Sequence, residues 1–323
     1  MDSTLLAQTI GIPQECITTN VALSKRTWIH RGGIAAVWVT PRNIEQLEKV
    51  GRYLYNNQLQ FDIVGYTSNT YFTNTYDTDY VIDTKNLRNV VFQDNTIICD
   101  CGASLQKLAR ECIAKGIMGY EGFYNIPGTI AGGVVNNSGC YGSQVDKVIL
   151  SIDLLMPNGD VVNVPKLSLK YRTRSSALKR HELQGIILKV YLDCSQYKDP
   201  EELRKIGEQN QALRQYQHEG PTHNLGSVFV YTYTYKKNIR NLLVRTASKI
   251  MRLLHIDQEK QQFVIKWMLM ILYGYTKLDK YISDKNLKCF LWKEANADEY
   301  FDEFVHFFNA FANNPEIEIE IKR

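Results

Sequence analysis

The hydrophobic positions of this chain change period several times, and each change marks an element. Val37 to Thr40 is a short apolar run halted by Pro41, after which Ile44, Leu47, Val50 and Leu54 recur at helical spacing. A second apolar run, Phe61 to Val64, leads into Gly65. The pattern predicts a β-α-β unit with a loop at the carboxyl end of a strand, where α/β folds hold ligands. Val90 to Asp100 reads as a hairpin about Asp94-Asn95, and Leu105, Leu108, Ala109, Cys112 and Ile113 then trace one helix face. Further strands are predicted over Val148 to Leu155, Val161 to Val164 and Gly185 to Leu192, the first two joined by the turn Pro157-Asn158-Gly159-Asp160.

From Asp199 the period is helical again. Asp199, Pro200 and Glu202 occupy the N-cap, first-turn and third positions of a helix running to about His218. Val228 to Tyr235 alternates as a strand that puts Tyr231, Tyr233 and Tyr235 on one face, a stripe that packs more often than it stacks a sugar or a base. Helical stretches follow at Asn241 to His255 and Gln258 to Gly274. Asn296 and Glu299 read as a cap pair for a helix burying Phe301, Phe304, Val305 and Phe308. Glu316 to Ile321 alternates Glu and Ile, as a half-buried strand does.

One stretch does not fit either period. Ile126 to Gly142 reads IPGTIAGGVVNNSGCYG, and eight of the chain's 20 glycines fall between Gly116 and Gly142. Gly132 and Gly133 can take positive φ, Pro127 fixes the approach, and Asn136, Asn137 and Ser138 hold loop geometry through side-chain to backbone bonds. Ile126, Ile130, Val134 and Val135 are apolar, so the segment is expected to be buried. Buried irregular backbone needs partners, which favours a cofactor cup over an empty surface loop. No two glycines are spaced i, i+2, so the G-x-G-x-x-G dinucleotide fingerprint is absent.

Composition narrows the class. A chain of 323 residues with 44% hydrophobic and 22% charged residues suits two or three globular units. The 38 basic and 34 acidic residues leave a net charge of +4, too little to argue for a nucleic-acid partner. Seven cysteines without regular spacing fit a reducing compartment, and the Cys99-x-Cys101 pair lacks the second pair or nearby histidine of a metal site, so no metal is expected. The first 20 residues carry no basic run followed by an apolar core, and the apolar run Phe263 to Tyr275 is broken by Lys266 and too short to span a bilayer. A cytoplasmic protein without a transmembrane segment is expected.

The stretch Ile126 to Gly142 resembles the flavin-embracing segment of the UDP-N-acetylenolpyruvoylglucosamine reductase family, within the vanillyl-alcohol-oxidase (PCMH) type of FAD-binding fold. The likeness runs from about Thr27 to Glu316. Thr27 to Ala35, with Gly32 and Gly33, resembles the family's entry segment. Gly65-Tyr66-Thr67-Ser68-Asn69 resembles its first phosphate loop, with Tyr66 and Thr67 standing where the family has glycines. The resemblance implies an α+β architecture: FAD-binding lobes over residues 1–85 and 86–195, and a C-terminal α/β substrate domain over 196–323. It implies FAD contacts from Gly65, Tyr66, Thr67, Ser68, Asn69, Ile126, Pro127, Gly128, Thr129, Gly132, Gly133, Asn137, Gly139, Tyr141 and Gly142, with NADPH or NADH as hydride donor.

The reaction so implied reduces an enolpyruvyl ether of a nucleotide sugar to a lactyl ether, in cell-wall or envelope polysaccharide synthesis. An enol ether resists hydride, but its carboxylate makes the terminal carbon a conjugate acceptor, and charge flows into that carboxylate. The site then needs a cation and a neutral acid against those oxygens and a proton donor facing the other alkene carbon. Arg172, in Tyr171-Arg172, resembles the arginine that clamps the carboxylate, with Arg174 of the same YRTRSS run as the register alternative. A surface ion pair is the plainer reading of Arg172. Ser227, in Gly226-Ser227-Val228-Phe229, resembles the serine that protonates the carbanion, although glycine-serine also makes plain turns.

Glu316, after Pro315, is similar in place to the family's C-terminal glutamate, whereas Glu316, Glu318 and Glu320 together also read as a solvated strand edge. Cys140 reads as packing beside the flavin, and His30 and His223, each without a partner, as structural. After Phe229 the family's Lys-Asn-Pro is replaced by Val230-Tyr231-Thr232, followed by basic, Tyr-rich helices from Lys236 to Lys288. Three functions stay open: the enolpyruvyl reductase, an FAD-dependent oxidase or dehydrogenase of an alcohol or sugar carbon, and a non-catalytic flavin-fold scaffold in envelope assembly.

Overall fold

The computed structural model describes residues 2–220, 222–231 and 233–323. The chain divides into two units. One comprises Met1–Lys25, Gly33–Thr67 and Tyr76–Gln211, the other Arg26–Gly32, Ser68–Thr75 and Ala212–Arg323. The helix Pro200–Gln217 carries the chain from the first into the second.

In the first unit, Asn43 caps the helix Ile44–Asn56 by accepting from the Gln46 amide at 2.9 Å, and Leu47, Val50 and Leu54 are buried at the predicted spacing. The helix links Ile34–Val39 to Phe61–Val64. Both strands run parallel to Thr78–Asp83, which lies between them, and Ile17–Ala22 adds on antiparallel to complete a four-stranded sheet. Gly65 therefore leaves the carboxyl end of a strand. A second sheet, wholly antiparallel, orders Val161–Pro165, Ile149–Leu155, Ile186–Asp193, Thr96–Asp100 and Val90–Gln93. Against it packs the helix Leu105–Ala114 through the apolar face read from its spacing. Cys99 and Cys101 lie in this core, where burial pushes both thiols up to about 12.

The second unit is built on the helix Asp298–Phe311. Phe301, Phe304, Phe307, Phe308 and Phe311 are all buried, and Phe308 stacks on Phe229 with ring centroids 4.1 Å apart. Val305 is half-buried at the edge of this cluster. Helices Ile239–Leu253 and Gln258–Tyr273 flank it. In the latter, Lys266 is 2% exposed, with its ammonium bonded to Asp279 at 2.8 Å and to Asp284. Among the described residues no helix is long and apolar enough to cross a membrane.

Three predicted elements of this unit differ. Val228 to Tyr235 is not one strand: Phe229 makes a single bridge to Ile317, Tyr231 is exposed in a turn, Thr232 lies outside the described residues, and only Thr234–Tyr235 pairs, with Ala312–Asn313. The alternation is real, because Phe229, Tyr233 and Tyr235 all pack on the phenylalanine helix, but a strand also needs a partner along its length. Glu316 to Ile321 likewise divides, into that bridge and a strand Glu320–Lys322 that pairs parallel with Thr70–Phe72.

The cap pair Asn296 and Glu299 does not form. The Asn296 amide oxygen accepts instead from the Tyr281 hydroxyl at 3.1 Å, and the helix begins at Asp298, whose carboxylate takes Tyr71 Oη at 2.7 Å, Asn74 Nδ2 at 2.8 Å and Arg31 Nε at 2.8 Å. Tertiary donors have displaced the local cap. Truncating Phe308→Ala should cost about 3–5 kcal/mol of unfolding free energy in a urea titration; a cost below about 1 kcal/mol would mean that the helix is not the centre of this unit.

Candidate active site

The segment Ile126 to Gly142 is partly helical. Thr129 caps a short helix, Ile130–Val135, its hydroxyl accepting from the Gly132 amide at 3.2 Å. Gly132 and Gly133 therefore lie inside a helix and do not use the positive φ open to glycine. That conformation falls to Asn137 (φ 44°), Tyr141 (φ 45°) and Gly142 (φ 89°). Close packing is what requires glycine at 133 and at 65. A Cβ on Gly133 would stand 2.9 Å from Leu105 Cδ1, and one on Gly65 would stand 2.7 Å from Thr129 Oγ1, so the Gly65 loop and the Gly-rich segment touch there.

Asn137 is 1% exposed and makes three side-chain bonds. Its Nδ2 donates to the Arg172 carbonyl at 3.0 Å and to Asp146 Oδ2 at 3.2 Å, and its Oδ1 accepts from the Asp146 amide at 3.1 Å. Ser176 Oγ donates to the Val135 carbonyl at 2.7 Å, and the Lys179 ammonium bonds Asn136 Oδ1 and, at 3.0 Å, the Arg174 carbonyl. The YRTRSS run is thus stitched to the Gly-rich segment. It forms a tight turn closed by Arg172 N–H to the Ser175 carbonyl at 2.9 Å, leaving the Arg172 side chain exposed and that of Arg174 half-buried.

The residues present fit a flat, polar group such as FAD. A Cβ on Gly142 would meet nothing within 4 Å, and one on Gly132 would meet only Thr129 Oγ1 at 3.3 Å among the described residues, so backbone is open to close approach at both. On either side of these elements Asn125 Nδ2 and Tyr171 Oη are buried with no hydrogen-bond partner among the described residues. Buried polar groups in folded proteins are almost always paired, which makes these two the natural donors to a bound ligand. At Thr67, where the resembling family has glycine, a buried β-branched side chain sits at φ 53°, a conformation that costs such residues about 1–3 kcal/mol.

In the second unit the C-terminal tail links the stretches that carry Ser227, Glu316 and Asn69. Glu318 N–H donates to the Val228 carbonyl at 2.7 Å, Val230 N–H to the Glu316 carbonyl at 2.9 Å, and Glu320 N–H to the Asn69 carbonyl at 2.9 Å. These bonds tie the tail to the residues following Ser227 and to the Asn69 end of the Gly65–Asn69 loop, with Glu316 exposed and Ser227 half-buried. Ser227 Oγ accepts from Asn286 Nδ2 at 3.1 Å, and the same amide nitrogen lies 3.3 Å from His218 Nδ1. Burial, with Arg214 and Lys288 alongside, pushes His218 down to about 4, so it is neutral and accepts at Nδ1.

Neither Asn286 nor His218 carries a motif or a period that sequence reasoning could have used. The rings of His30 and His223 lie 6.4 Å apart, so each has an aromatic neighbour. Arg172 and Arg174 belong to the first unit, Ser227 and Glu316 to the second.

Comparison with known proteins agrees with this geometry. A family model described as an FAD binding domain matches residues 35–165. The UDP-N-acetylenolpyruvoylglucosamine reductase of Alkaliphilus oremlandii is 29% identical over 228 residues, 69% of this chain and 73% of that protein. The reductase of the same name from Nostoc sp. is 33% identical over 165 residues, half of each chain. Among solved structures, the UDP-N-acetylenolpyruvylglucosamine reductase of Thermus caldophilus superposes with a TM-score of 0.66 at 16% identity, covering 94% of this chain and 98% of that one, so the α+β fold is shared almost throughout. Residues 35–165 thus match an FAD-binding domain, and the chain is similar to the UDP-N-acetylenolpyruvoylglucosamine reductase of Alkaliphilus oremlandii over 69% of its length and shares the fold of the Thermus caldophilus reductase.

Proposed function

We propose that this chain is an FAD-dependent reductase that converts an enolpyruvyl sugar nucleotide, UDP-N-acetylenolpyruvoylglucosamine or a relative used for another envelope polysaccharide, to its lactyl ether with NADPH or NADH. Residues 1–85 and 86–195 form the lobes that hold FAD, and 196–323 form the substrate domain. The observation that carries this reading is the environment of Ser227, whose oxygen accepts a hydrogen bond from Asn286. A hydroxyl that accepts from an amide gives up its own proton more readily, because the charge left on oxygen is already solvated by a fixed donor. That is the requirement for a serine acting as an acid.

The other roles follow from chemistry. FAD, when bound, supplies the two-electron relay between the nicotinamide and the alkene. The Gly65–Asn69 loop and the Ile126–Gly142 segment hold it. The planar fork of Arg172 suits a bidentate clamp on the substrate carboxylate, with the shorter reach of half-buried Arg174 as the alternative. Glu316, whose carbonyl accepts from the Val230 amide three residues beyond Ser227, shares the charge that develops there. The Asn286 N–H donates to Ser283 Oγ at 3.1 Å and its Oδ1 accepts from the Lys288 amide at 3.1 Å, so its side chain is held at both ends, by that turn and by neutral His218.

Two measurements test this. Protein reduced anaerobically with NADPH should bleach, and UDP-N-acetylenolpyruvoylglucosamine should restore the yellow colour. Ser227→Ala should slow that second step by about 10²–10⁴-fold and Asn286→Ala by about 10–10²-fold, with bleaching by NADPH unchanged. Protein that never takes up FAD would point to the scaffold, and bleaching by an alcohol or sugar, with no response to the enolpyruvyl nucleotide, to the oxidase. The relay also leaves a pH signature. Because His218 is depressed to about 4 in the folded chain from 6.5 unfolded, its contribution to stability is complete above pH 6.5 and is lost as pH falls towards 4. About 2–3 kcal/mol should disappear across that window after allowing for partial exposure, and His218→Gln should abolish that part of the slope.

A further inference from the structure

The helix Ile239–Leu253 has two apolar faces, and only one is used. Asn241, Val244 and Met251 are buried on one side. Ile239, Leu242, Leu243, Ile250, Leu253 and Leu254 are between 49% and 77% exposed. At 3.6 residues per turn these six fall within an arc of about 120°, opposite the buried side. Single exposed leucines are ordinary; six in one stripe are not. The following helix, Gln258–Tyr273, adds Phe263, Val264 and Ile271, all exposed.

Charge along the helix Ile239–Leu253 has one sign. Residues 236–256 contain six lysines and arginines and no aspartate or glutamate. Arg245, Lys249 and Arg252 are exposed and border the stripe along one side, with Arg240 on the other. At its C-terminal end a cleft of about 380 Å³ is lined by Lys249, Arg252, Leu253 and His255, an apolar wall beside cationic groups.

We propose that this helix pair is a docking surface for an anionic lipid bilayer. An aliphatic stripe bordered by cations is the arrangement by which a helix lies in the interface plane, its apolar side among the acyl chains and its cations at the headgroup phosphates. A second copy of the chain fits poorly. It would bring the same unneutralised cations against these, and like charges placed face to face oppose association. The stripe also offers no hydrogen-bonding side chain that would fix register against a folded protein, whereas a bilayer needs none.

Sedimentation of the full chain with vesicles tests this, comparing phosphatidylcholine alone with phosphatidylcholine mixed with phosphatidylglycerol. Binding is expected to the mixed vesicles, to be much weaker to the neutral ones, and to fall with added salt. The variant Leu242→Ser, Leu243→Ser, Leu253→Ser, Leu254→Ser should bind ten-fold or more weakly. The variant Arg245→Glu, Lys249→Glu, Arg252→Glu should lose on the order of a hundred-fold. Both sets of side chains are exposed, so both variants should keep the wild-type melting temperature, and that measurement separates loss of docking from loss of fold. Failure to bind the mixed vesicles, binding that survives the quadruple serine variant, or a dimer that forms through this stripe and excludes vesicles would each overturn the proposal.

Discussion

The first unit depends on what a single buried amide does. Asn137 sits where the Gly-rich segment leaves its short helix, in a left-handed conformation that asparagine tolerates better than most residues. From there its side chain reaches the Arg172 carbonyl and both the backbone and the carboxylate of Asp146. Three segments of the chain are therefore indexed to one side chain. The Gly-rich segment and the arginine-bearing turn hold a fixed relation before any ligand arrives, which is the condition for a preorganised site.

The second unit solves a different problem. Its catalytic candidate lies on a segment that pairs at one bridge only, so backbone bonds alone would leave it loose. Phe229, two residues from Ser227, is clamped between Phe304 and Phe308, and the aromatic helix does the positioning that a sheet does in the first unit. Asn286 then fixes the hydroxyl itself. Serine is a poor acid in water, and its environment has to supply the difference.

Local periodicity revealed the elements that bury one face against one neighbour. Ile44, Leu47, Val50 and Leu54, and the face from Leu105 to Ile113, were legible because a single amphipathic pattern decides each. The Gly-rich segment stood out because it fits neither period, but its local structure was not legible. The number of its glycines suggested a loop, whereas Thr129 starts a helix there and Gly133 admits Leu105.

The strands predicted at Val228 to Tyr235 and Glu316 to Ile321 were broken by the shortage of pairing partners, which alternation along one segment does not report. Asn286 and His218 were not legible at all, since their roles arise from contacts across 59 and 68 residues of sequence.

The most direct test of how the site is built is the affinity of the apoprotein for FAD, titrated by flavin fluorescence, in wild type and in Asn137→Ala. Loss of the amide should weaken FAD binding ten-fold or more and destabilise the fold by about 1–3 kcal/mol, since it leaves the part-buried Asp146 N–H without its acceptor and takes one of two donors from the Arg172 carbonyl. An Asn137→Ala protein that binds FAD as tightly as wild type would contradict the central place given to this side chain.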